Sequence, residues 1–153
     1  MSPKTYLNQI KRLEESIDQK IAELTDLRLD AQTVRGLNYD SDHIQTSANK
    51  DAPYARTLER IDDLRRQTAQ QIEELSRARS AIIGQVQGIQ DARYASLLYK
   101  RYVTGATLDQ IAAQMQYSAA HIRHLHGGAL QAFGEQWGEE IEEYAKMHTQ
   151  SHV

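Results

Sequence analysis

Residues 91–137 read DARYASLLYKRYVTGATLDQIAAQMQYSAAHIRHLHGGALQAFGEQW, and this stretch decides the fold of the C-terminal half. Its apolar residues recur at helical spacing in three short groups. Asp91, Thr107 and Ser118 each precede one group and can cap a helix, while Gly105 can end the first helix. The pattern predicts three short helices arranged as a trihelical helix-turn-helix domain.

The side chains of these helices divide into a buried and an exposed set. Gln110 completes a capping box with Thr107, and Ala112 is small where the second helix must cross the third, predicted over 118–133. The predicted core positions are Leu97, Leu98, Tyr102, Val103, Leu108, Ile111, Ala112, Met115, Ile122, Leu125, Ala129, Leu130 and Phe133. Because this set forms a core of its own, we expect the isolated segment 91–137 to keep some helix.

The exposed face of the third helix carries residue types that read DNA. Arginine and histidine can hydrogen-bond to base edges in a major groove, and alanine can contact thymine methyl groups. Lys100 and Arg101, at the end of the first helix, are candidates for phosphate contacts. The predicted DNA-binding residues are Ser118, Ala119, Ala120, His121, Arg123, His124, Gly127, Lys100, Arg101 and Thr107.

Two features depart from the usual pattern of such domains. Gln116 stands at a turn position where many of them have glycine, and a left-handed conformation there would cost on the order of 1 kcal/mol. Gly127 and Gly128 lie inside the third helix, where each glycine costs about 1 kcal/mol relative to alanine. We therefore expect a kink or fraying at the two glycines.

The N-terminal half predicts two long helices. The first spans 3–34 and ends at Arg35-Gly36, because glycine tolerates the left-handed conformation that closes helices. The second spans 54–90, and each carries an apolar stripe at coiled-coil spacing. The pair is predicted to fold back as a long antiparallel hairpin with both stripes inside.

The segment between the two helices, 36–53, is rich in Asn, Asp, Ser and Gly and is predicted to be a loop. Two alternatives remain for it. It is either a floppy connector or a segment whose apolar Tyr39 and Ile44 dock partly on the helices.

The predicted stripes define an assembly surface. The first stripe contains Ile10, Leu13, Ile17, Leu24, Leu27, Ala31 and Val34, with Ile21 beside it. The second contains Leu58, Ile61, Ile72, Leu75, Ile82, Val86 and Ile89, with Arg65, Thr68 and Arg79 as polar positions that either set the register or lie at the edge. Because two helices make a thin core, self-association through the stripes is predicted. The assigned oligomerisation residues are Ile10, Leu13, Ile17, Leu24, Leu58, Ile61, Ile72, Leu75 and Ile82.

The whole chain is thus predicted to be all-α, with a hairpin over 1–90, the helix-turn-helix over 91–137 and an acidic tail over 138–153. The tail carries four glutamates against one lysine. It either masks the basic face of the DNA reader or extends the last helix and packs Ile141 and Tyr144 on the domain.

Composition excludes several classes of protein. There is no cysteine, so disulfides, thiolate catalysis and zinc-finger ligation are impossible. The net charge of −3 argues against a protein that coats nucleic acid with its whole surface, so any DNA contact must be local. No apolar run approaches the roughly 20 residues of a membrane span, and no signal-peptide pattern opens the chain, so we expect a cytoplasmic protein.

The segment from Leu97 to Phe133 resembles region four of bacterial sigma factors, which reads promoter DNA. The shared pattern is T-L-x-x-I-A-x-x-L-x-x-S-x-x-x-V-x-x-L-x-x-x-A-L, preceded by an apolar-Arg-Tyr helix end. It is matched here by Thr107, Leu108, Ile111, Ala112, Met115, Ser118, Ile122, Leu125, Ala129 and Leu130. The resemblance covers about a quarter of the chain and implies DNA recognition by the third helix.

The chain up to Trp137 also resembles a phage-encoded family of small regulators related to the RinA and ArpU type activators. One shared motif, I-x-x-K-x-x-E-L-x-x-L-R, is matched by Ile17, Lys20, Glu23, Leu24, Leu27 and Arg28. A second, V-Q-x-S, is matched by Ile44, Gln45 and Ser47. This resemblance implies transcription control in a phage or prophage.

No pattern of a catalytic site is found. His121, His124 and His126 could suggest a metal site, but without a nearby carboxylate or cysteine we expect groove-facing or solvated histidines. We expect no enzyme, no cofactor and no metal.

The favoured function is a sequence-specific transcription regulator that binds double-stranded DNA as a homo-oligomer, most simply a dimer. One alternative is a phage DNA-packaging subunit, which would form a ring of about eight or more protomers. Another is a helical factor that binds host RNA polymerase without any DNA affinity.

Overall fold

The computed structural model describes residues 1–40 and 48–150, and the side chains of 1–33 and 52–149. This part of the chain is all-helical and contains no strand. The α-helices are α1 (Pro3–Leu7), α2 (Gln9–Asp40), α3 (Ala48–Gln87), α4 (Ala92–Leu98), α5 (Leu108–Met115) and α6 (Ala119–Gln150), with a π-helical segment at Tyr99–Val103 directly after α4.

The first predicted helix is two helices. Ser2 caps α1 as expected, with its hydroxyl accepting a hydrogen bond from the backbone N–H of Thr5, and Pro3 occupies the first helical position. Asn8, with φ −73° and ψ −3°, interrupts the helix. The interruption separates α1 from α2. Two residues of α1, Tyr6 and Leu7, are buried.

The helix end predicted at Arg35-Gly36 is wrong, because α2 continues to Asp40. The predicted start of the second long helix is also wrong, since α3 begins at Ala48 and includes Pro53. Proline there removes one backbone donor but still has the φ of a helix. The predicted loop 36–53 therefore shrinks from both sides, and the expectation about Ile44 falls outside the described residues.

The chain divides into two compact units, residues 13–74 and residues 1–12 with 75–153. Residues 1–12 and 75–90 group with the C-terminal segment in the second of these units. The unit 13–74 contains parts of α2 and α3. Among its side chains that the structure describes, 13–33 and 52–74, the buried ones are Ile17, Leu24, Leu64 and Thr68.

The predicted stripe of α3 is partly wrong. Leu58 and Ile72 are 45% and 51% exposed, whereas Leu64, which the prediction left out, is 1% exposed. Of the two alternatives left open for Thr68, the structure shows the inward one: Thr68 is buried, and its hydroxyl donates to the carbonyl oxygen of Leu64 at 2.6 Å. Arg65 is exposed. A repeat of seven residues fits two neighbouring stripes on α3 equally well. The stripe that contains Leu64 and Thr68 faces inward, and the one that contains Leu58 and Ile72 does not.

The remaining predicted positions of α2 and α3 have different locations. Ile17 and Leu24 are buried in the unit 13–74, and Leu13 and Ile61 are half-buried there, whereas Ile21 is 47% exposed. Ile10, Ile82, Val86 and Ile89 are buried in the other unit, where Leu75 packs against them. Arg79 is half-buried and donates to the carbonyl oxygen of Val103 at 3.4 Å.

The unit formed by 1–12 and 75–153 has a continuous apolar core. Leu7, Ile82, Leu97, Leu98, Ile111, Ile122, Ala129 and Phe133 are completely buried in it. Both α1 and the end of α3 contribute side chains, so the core of 91–137 is continuous with residues outside that segment. The segment 91–137 supplies only part of the apolar surface that is removed from water.

The third predicted helix is longer than expected. α6 runs to Gln150, with one non-helical residue, Trp137 (φ −117°, ψ 21°). Ile141 is 3% exposed, and Tyr144 packs edge-on against Tyr6 with ring centroids 5.3 Å apart. These contacts confirm the alternative in which the acidic segment is a helical extension packed on the domain.

Among the described helices, none combines the length and apolarity that crossing a membrane requires.

Candidate nucleic-acid interface

The turn between α5 and α6 is built as the sequence predicts. The Thr107 hydroxyl accepts from the backbone N–H of Gln110, and the Gln110 side chain accepts from the N–H of Thr107, which completes the capping box. Gln116 adopts the left-handed conformation, with φ 60° and ψ 41°. The Ser118 hydroxyl then accepts from the backbone N–H of His121 and caps α6. Two caps and one left-handed residue thus fix how α6 leaves the turn.

The sides of α5 and α6 that face the core are buried. Ile111, Ile122 and Leu125 are at most 4% exposed, and Ala112 is 6% exposed. The backbone N–H of Tyr117 donates to the carbonyl oxygen of Ala112 at 2.9 Å. A larger side chain at Ala112 would push the two helices apart, which is the structural role predicted for it.

The outer face of α6 is open to solvent over its first three turns. The residues exposed there are Ala119, Ala120, His121, Arg123, His124 and Gly127, as predicted. Arg123 makes no ion pair or hydrogen bond within the part of the chain that the structure describes. Its guanidinium donors are therefore available to a ligand. Ser118, the first residue of the predicted set, is also exposed, but its hydroxyl is engaged in capping.

Tyr117 is a site residue that the sequence analysis missed. Its ring is 36% exposed and meets the ring of His121 edge-on, with the centroids 4.7 Å apart and the planes at 73°. The contact restricts the orientations of the His121 imidazole at the start of α6. The sequence gives no sign of this contact, because the direction of the Tyr117 side chain depends on the left-handed conformation of Gln116. A spacing of four residues across a turn does not reveal that conformation.

The three predicted residues outside α6 have structural partners. Arg101 donates to the carbonyl oxygen of Ala106 at 3.0 Å, and Lys100 donates to the side chain of Gln114 at 3.0 Å. Both lie in the π-helical segment and are half-buried. Thr107 is committed to the capping box. Of the three, Lys100 is tied only to an exposed side chain, so it is the most accessible to a phosphate.

His126 is not solvated, and that prediction is wrong for this residue. Its Nε2 lies 2.7 Å from the Tyr102 hydroxyl, and the two rings stack with centroids 5.8 Å apart. Burial lowers the pKa of His126, and the charges of Lys4 and Arg101 lower it further. The neutral imidazole is thus part of the packing beneath α6. Within the described residues, no group of three or more His, Asp or Glu side chains is arranged to hold a metal ion.

Gly127 and Gly128 do not kink or fray α6. Both lie in regular helix, and the only irregular residue in α6 is Trp137. A Cβ on Gly128 would lie 2.6 Å from the Tyr94 hydroxyl oxygen, whereas a Cβ on Gly127 would meet nothing within 4 Å. Gly128 is therefore confined by the Tyr94 side chain of α4, which would have to shift to accommodate a larger residue.

Charge is segregated along α6. From Ala119 to Gly134 the helix contains one arginine, three histidines and no acid, and the acids begin at Glu135. Sixteen residues of helix separate Ala119 from Glu135, about 24 Å at 1.5 Å per residue. The exposed start of α6 therefore lies well away from the acidic segment.

No protein-family model matches this chain, and the searches of curated proteins and of solved structures gave no match either.

Proposed function

We propose that the protein is a non-enzymatic, sequence-specific regulator of transcription that inserts the start of α6 into the major groove of double-stranded DNA. The observation that carries the proposal is the pairing of an open outer face with a dry inner face. Ala119, His121, Arg123 and His124 are exposed, while Ile122 and Leu125 on the same turns are buried. A helix held in this way presents its outer side chains to a ligand without losing packing.

The chemistry of the outer face fits base edges. Arg123 can form a bidentate pair with guanine, His121 can hydrogen-bond to a base, and the methyl groups of Ala119 and Ala120 can contact thymine. The helix N-terminus itself favours the phosphates that flank the groove, because its first N–H groups point outward and carry partial positive charge. Within α6 no acid precedes Glu135, so no carboxylate of this helix opposes the attraction at its start.

We further propose the architecture predicted for a regulator of phage or prophage origin. α2 and α3 form an antiparallel hairpin, and the region around α4, α5 and α6 forms the trihelical helix-turn-helix. Two chains associate as a homodimer in the cytoplasm, which places two readers on half-sites of one DNA. Host RNA polymerase is a further partner of such a regulator.

Selection of bound duplexes from a random DNA pool tests the proposal. We expect enrichment of one sequence with two-fold symmetry, because a symmetric dimer reads both half-sites in the same way. Recovery of the random pool without enrichment would contradict sequence-specific recognition. Enrichment of a sequence without symmetry would retain DNA reading and contradict the dimeric arrangement.

A further inference from the structure

The unit 13–74 has two flanks of different character. On one flank Glu23 and Arg60 form an ion pair at 3.0 Å, and Ser16 hydrogen-bonds to Gln71 at 3.1 Å. From Ser16 to Glu23 the residue number in α2 rises, whereas from Gln71 to Arg60 the number of the partner in α3 falls. This is the order of contacts in an antiparallel pair.

Three exposed apolar residues lie on the opposite flank. Glu23 and Arg60 each come directly before an inward-facing residue in the chain. Ile21, Leu58 and Ile72 each come directly after an inward-facing residue. In a pair of helices with coiled-coil spacing, positions before and after the core stripe lie on opposite sides. We call the side with Ile21, Leu58 and Ile72 the isoleucine flank.

The isoleucine flank exposes more apolar surface than a solvated helix pair needs. Ile21, Leu58 and Ile72 are 47%, 45% and 51% exposed. On the polar flank the equivalent positions are Ser16, Glu23, Arg60, Gln67 and Glu74. Covering the three apolar side chains would contribute favourable free energy, at about 25 cal/mol per Å² of apolar surface.

The flank is self-complementary along α3. Leu58 and Ile72 each lie seven residues from Arg65, so an antiparallel copy of α3 centred on Arg65 places Leu58 against Ile72 of the second copy, twice. The two Arg65 side chains lie near the axis, and their guanidinium groups can reach solvent at its edge, whereas Asp62, one turn away, is paired with Arg66 at 3.2 Å.

The same axis also matches the charges of α2. Asp18 and Arg28 each lie five residues from Glu23, so an antiparallel copy of α2 centred there places Asp18 against Arg28 of the second copy. Both residues are exposed. The hydrogen bond between Ser16 and Gln71 puts residue 23 opposite residue 64 in an antiparallel pair, so one two-fold axis near Arg65 serves both helices.

We propose that the isoleucine flank binds the same flank of a second copy of this chain and forms an antiparallel four-helix bundle. Segments 13–33 and 52–74 are about 30 Å long at 1.5 Å per residue, and two helices are about 20 Å wide. Such a face buries on the order of 1,200 Å² over both copies, the lower end of specific interfaces. The purpose of this interface, which is to pair two DNA-binding domains, rests on the proposed function.

Sedimentation equilibrium of the full chain without DNA tests the interface. The wild type is expected to dimerise, and Ile72→Glu is expected to weaken dimerisation at least about tenfold, because it places a charge against Leu58 of the second copy. Gln70→Glu adds the same charge away from the isoleucine flank and is expected to dimerise like the wild type. Circular dichroism should show equal helix content in all three proteins, since residue 72 is half-exposed in the single chain.

A charge exchange gives a second, independent test. Asp18→Arg alone and Arg28→Asp alone each place like charges together across the axis and should weaken dimerisation. The double variant restores opposite charges and should recover most of the wild-type affinity.

A monomeric wild type, unchanged dimerisation of Ile72→Glu, or a double variant no better than the worse single variant would overturn this interface. None of these results bears on DNA binding, which is measured separately. Failure of the proposed function would appear instead as a dimer with no affinity for DNA.

Discussion

Gly127 and Gly128 are adjacent in the chain, but only one of them is required by its surroundings. Helix propensity does not distinguish the two, because it depends on residue type and not on contacts. The Tyr94 hydroxyl, which approaches Gly128 from α4, comes from a helix more than thirty residues earlier in the chain. Contacts of that kind are tertiary and cannot be inferred from local spacing.

Substitution of each glycine by alanine tests this difference. Gly127→Ala should raise the free energy of unfolding by about 1 kcal/mol, because the helix gains propensity and nothing is displaced. Gly128→Ala should lower it by about 1 kcal/mol or more, because Tyr94 must move. Urea unfolding of both variants is the measurement. Equal stabilisation by both would show that Tyr94 does not confine Gly128.

His126 predicts a pH dependence of stability. Its pKa is lowered in the fold by burial and by Lys4 and Arg101. The unfolded chain therefore takes up a proton near the ordinary histidine pKa of about 6.5 while the folded chain stays neutral. Stability should consequently fall as the pH drops below about 6.5, and it should stop falling below the folded pKa.

The variant His126→Gln isolates this contribution, because glutamine does not titrate and can still hydrogen-bond with Tyr102. Its unfolding free energy should change less than that of the wild type between about pH 7 and pH 5. His124→Gln removes an exposed histidine and serves as the control with the wild-type slope. Identical slopes for His126→Gln and the wild type would contradict a neutral buried His126.

At the scale of elements, the sequence predicted caps better than helix ends. Asp91, Thr107 and Ser118 cap their helices because a side-chain oxygen three residues before a free N–H is a local arrangement. Gly36 and Pro53 did not end their helices, because both residues are tolerated when neighbouring turns continue the helix. Which of two stripes in α3 faces inward depended on the partner helix, so that prediction was only partly confirmed.

The turn before α6 can be tested at Gln116. A non-glycine residue in the left-handed conformation carries strain, so Gln116→Gly should stabilise the fold by up to about 1 kcal/mol. Gln116→Val should destabilise it, because a β-branched residue disfavours positive φ most strongly. Thermal unfolding of the two variants should move in opposite directions. A stabilising valine would mean that the turn is not left-handed at this residue.

At the scale of the whole molecule, the all-α class and the position of the candidate interface were predictable, but the composition of the core was not. Helical periodicity is local and identified nearly every inward residue of α4, α5 and the start of α6. The core also contains Tyr6, Leu7 and Ile10, which lie more than eighty residues before α4 in the chain. Periodicity alone cannot say which distant helix shares a core.

Leu7→Ala tests whether α1 belongs to this core. Leu7 is fully buried, so the cavity should lower the free energy of unfolding by about 2–5 kcal/mol. Trp137, the single tryptophan of the chain, hydrogen-bonds to the carbonyl oxygen of Gln85 in the same unit and reports its unfolding by fluorescence. Leu29→Ala, at a position 57% exposed, should change stability by less than about 0.5 kcal/mol. A Leu7→Ala variant as stable as the wild type would show that α1 does not contribute to this core.

The central claim is that exposed side chains at the start of α6 read DNA bases, and titration of Arg123→Ala against DNA tests it most directly. On the selected duplex the variant should lose about 1–3 kcal/mol of binding free energy relative to the wild type, with relaxed preference at one base pair. On a scrambled duplex of the same length, both proteins should bind with similar, weak affinity, because phosphate contacts carry no sequence information. Equal binding of the wild-type protein to selected and scrambled DNA, or full affinity of Arg123→Ala for the selected duplex, would contradict the account.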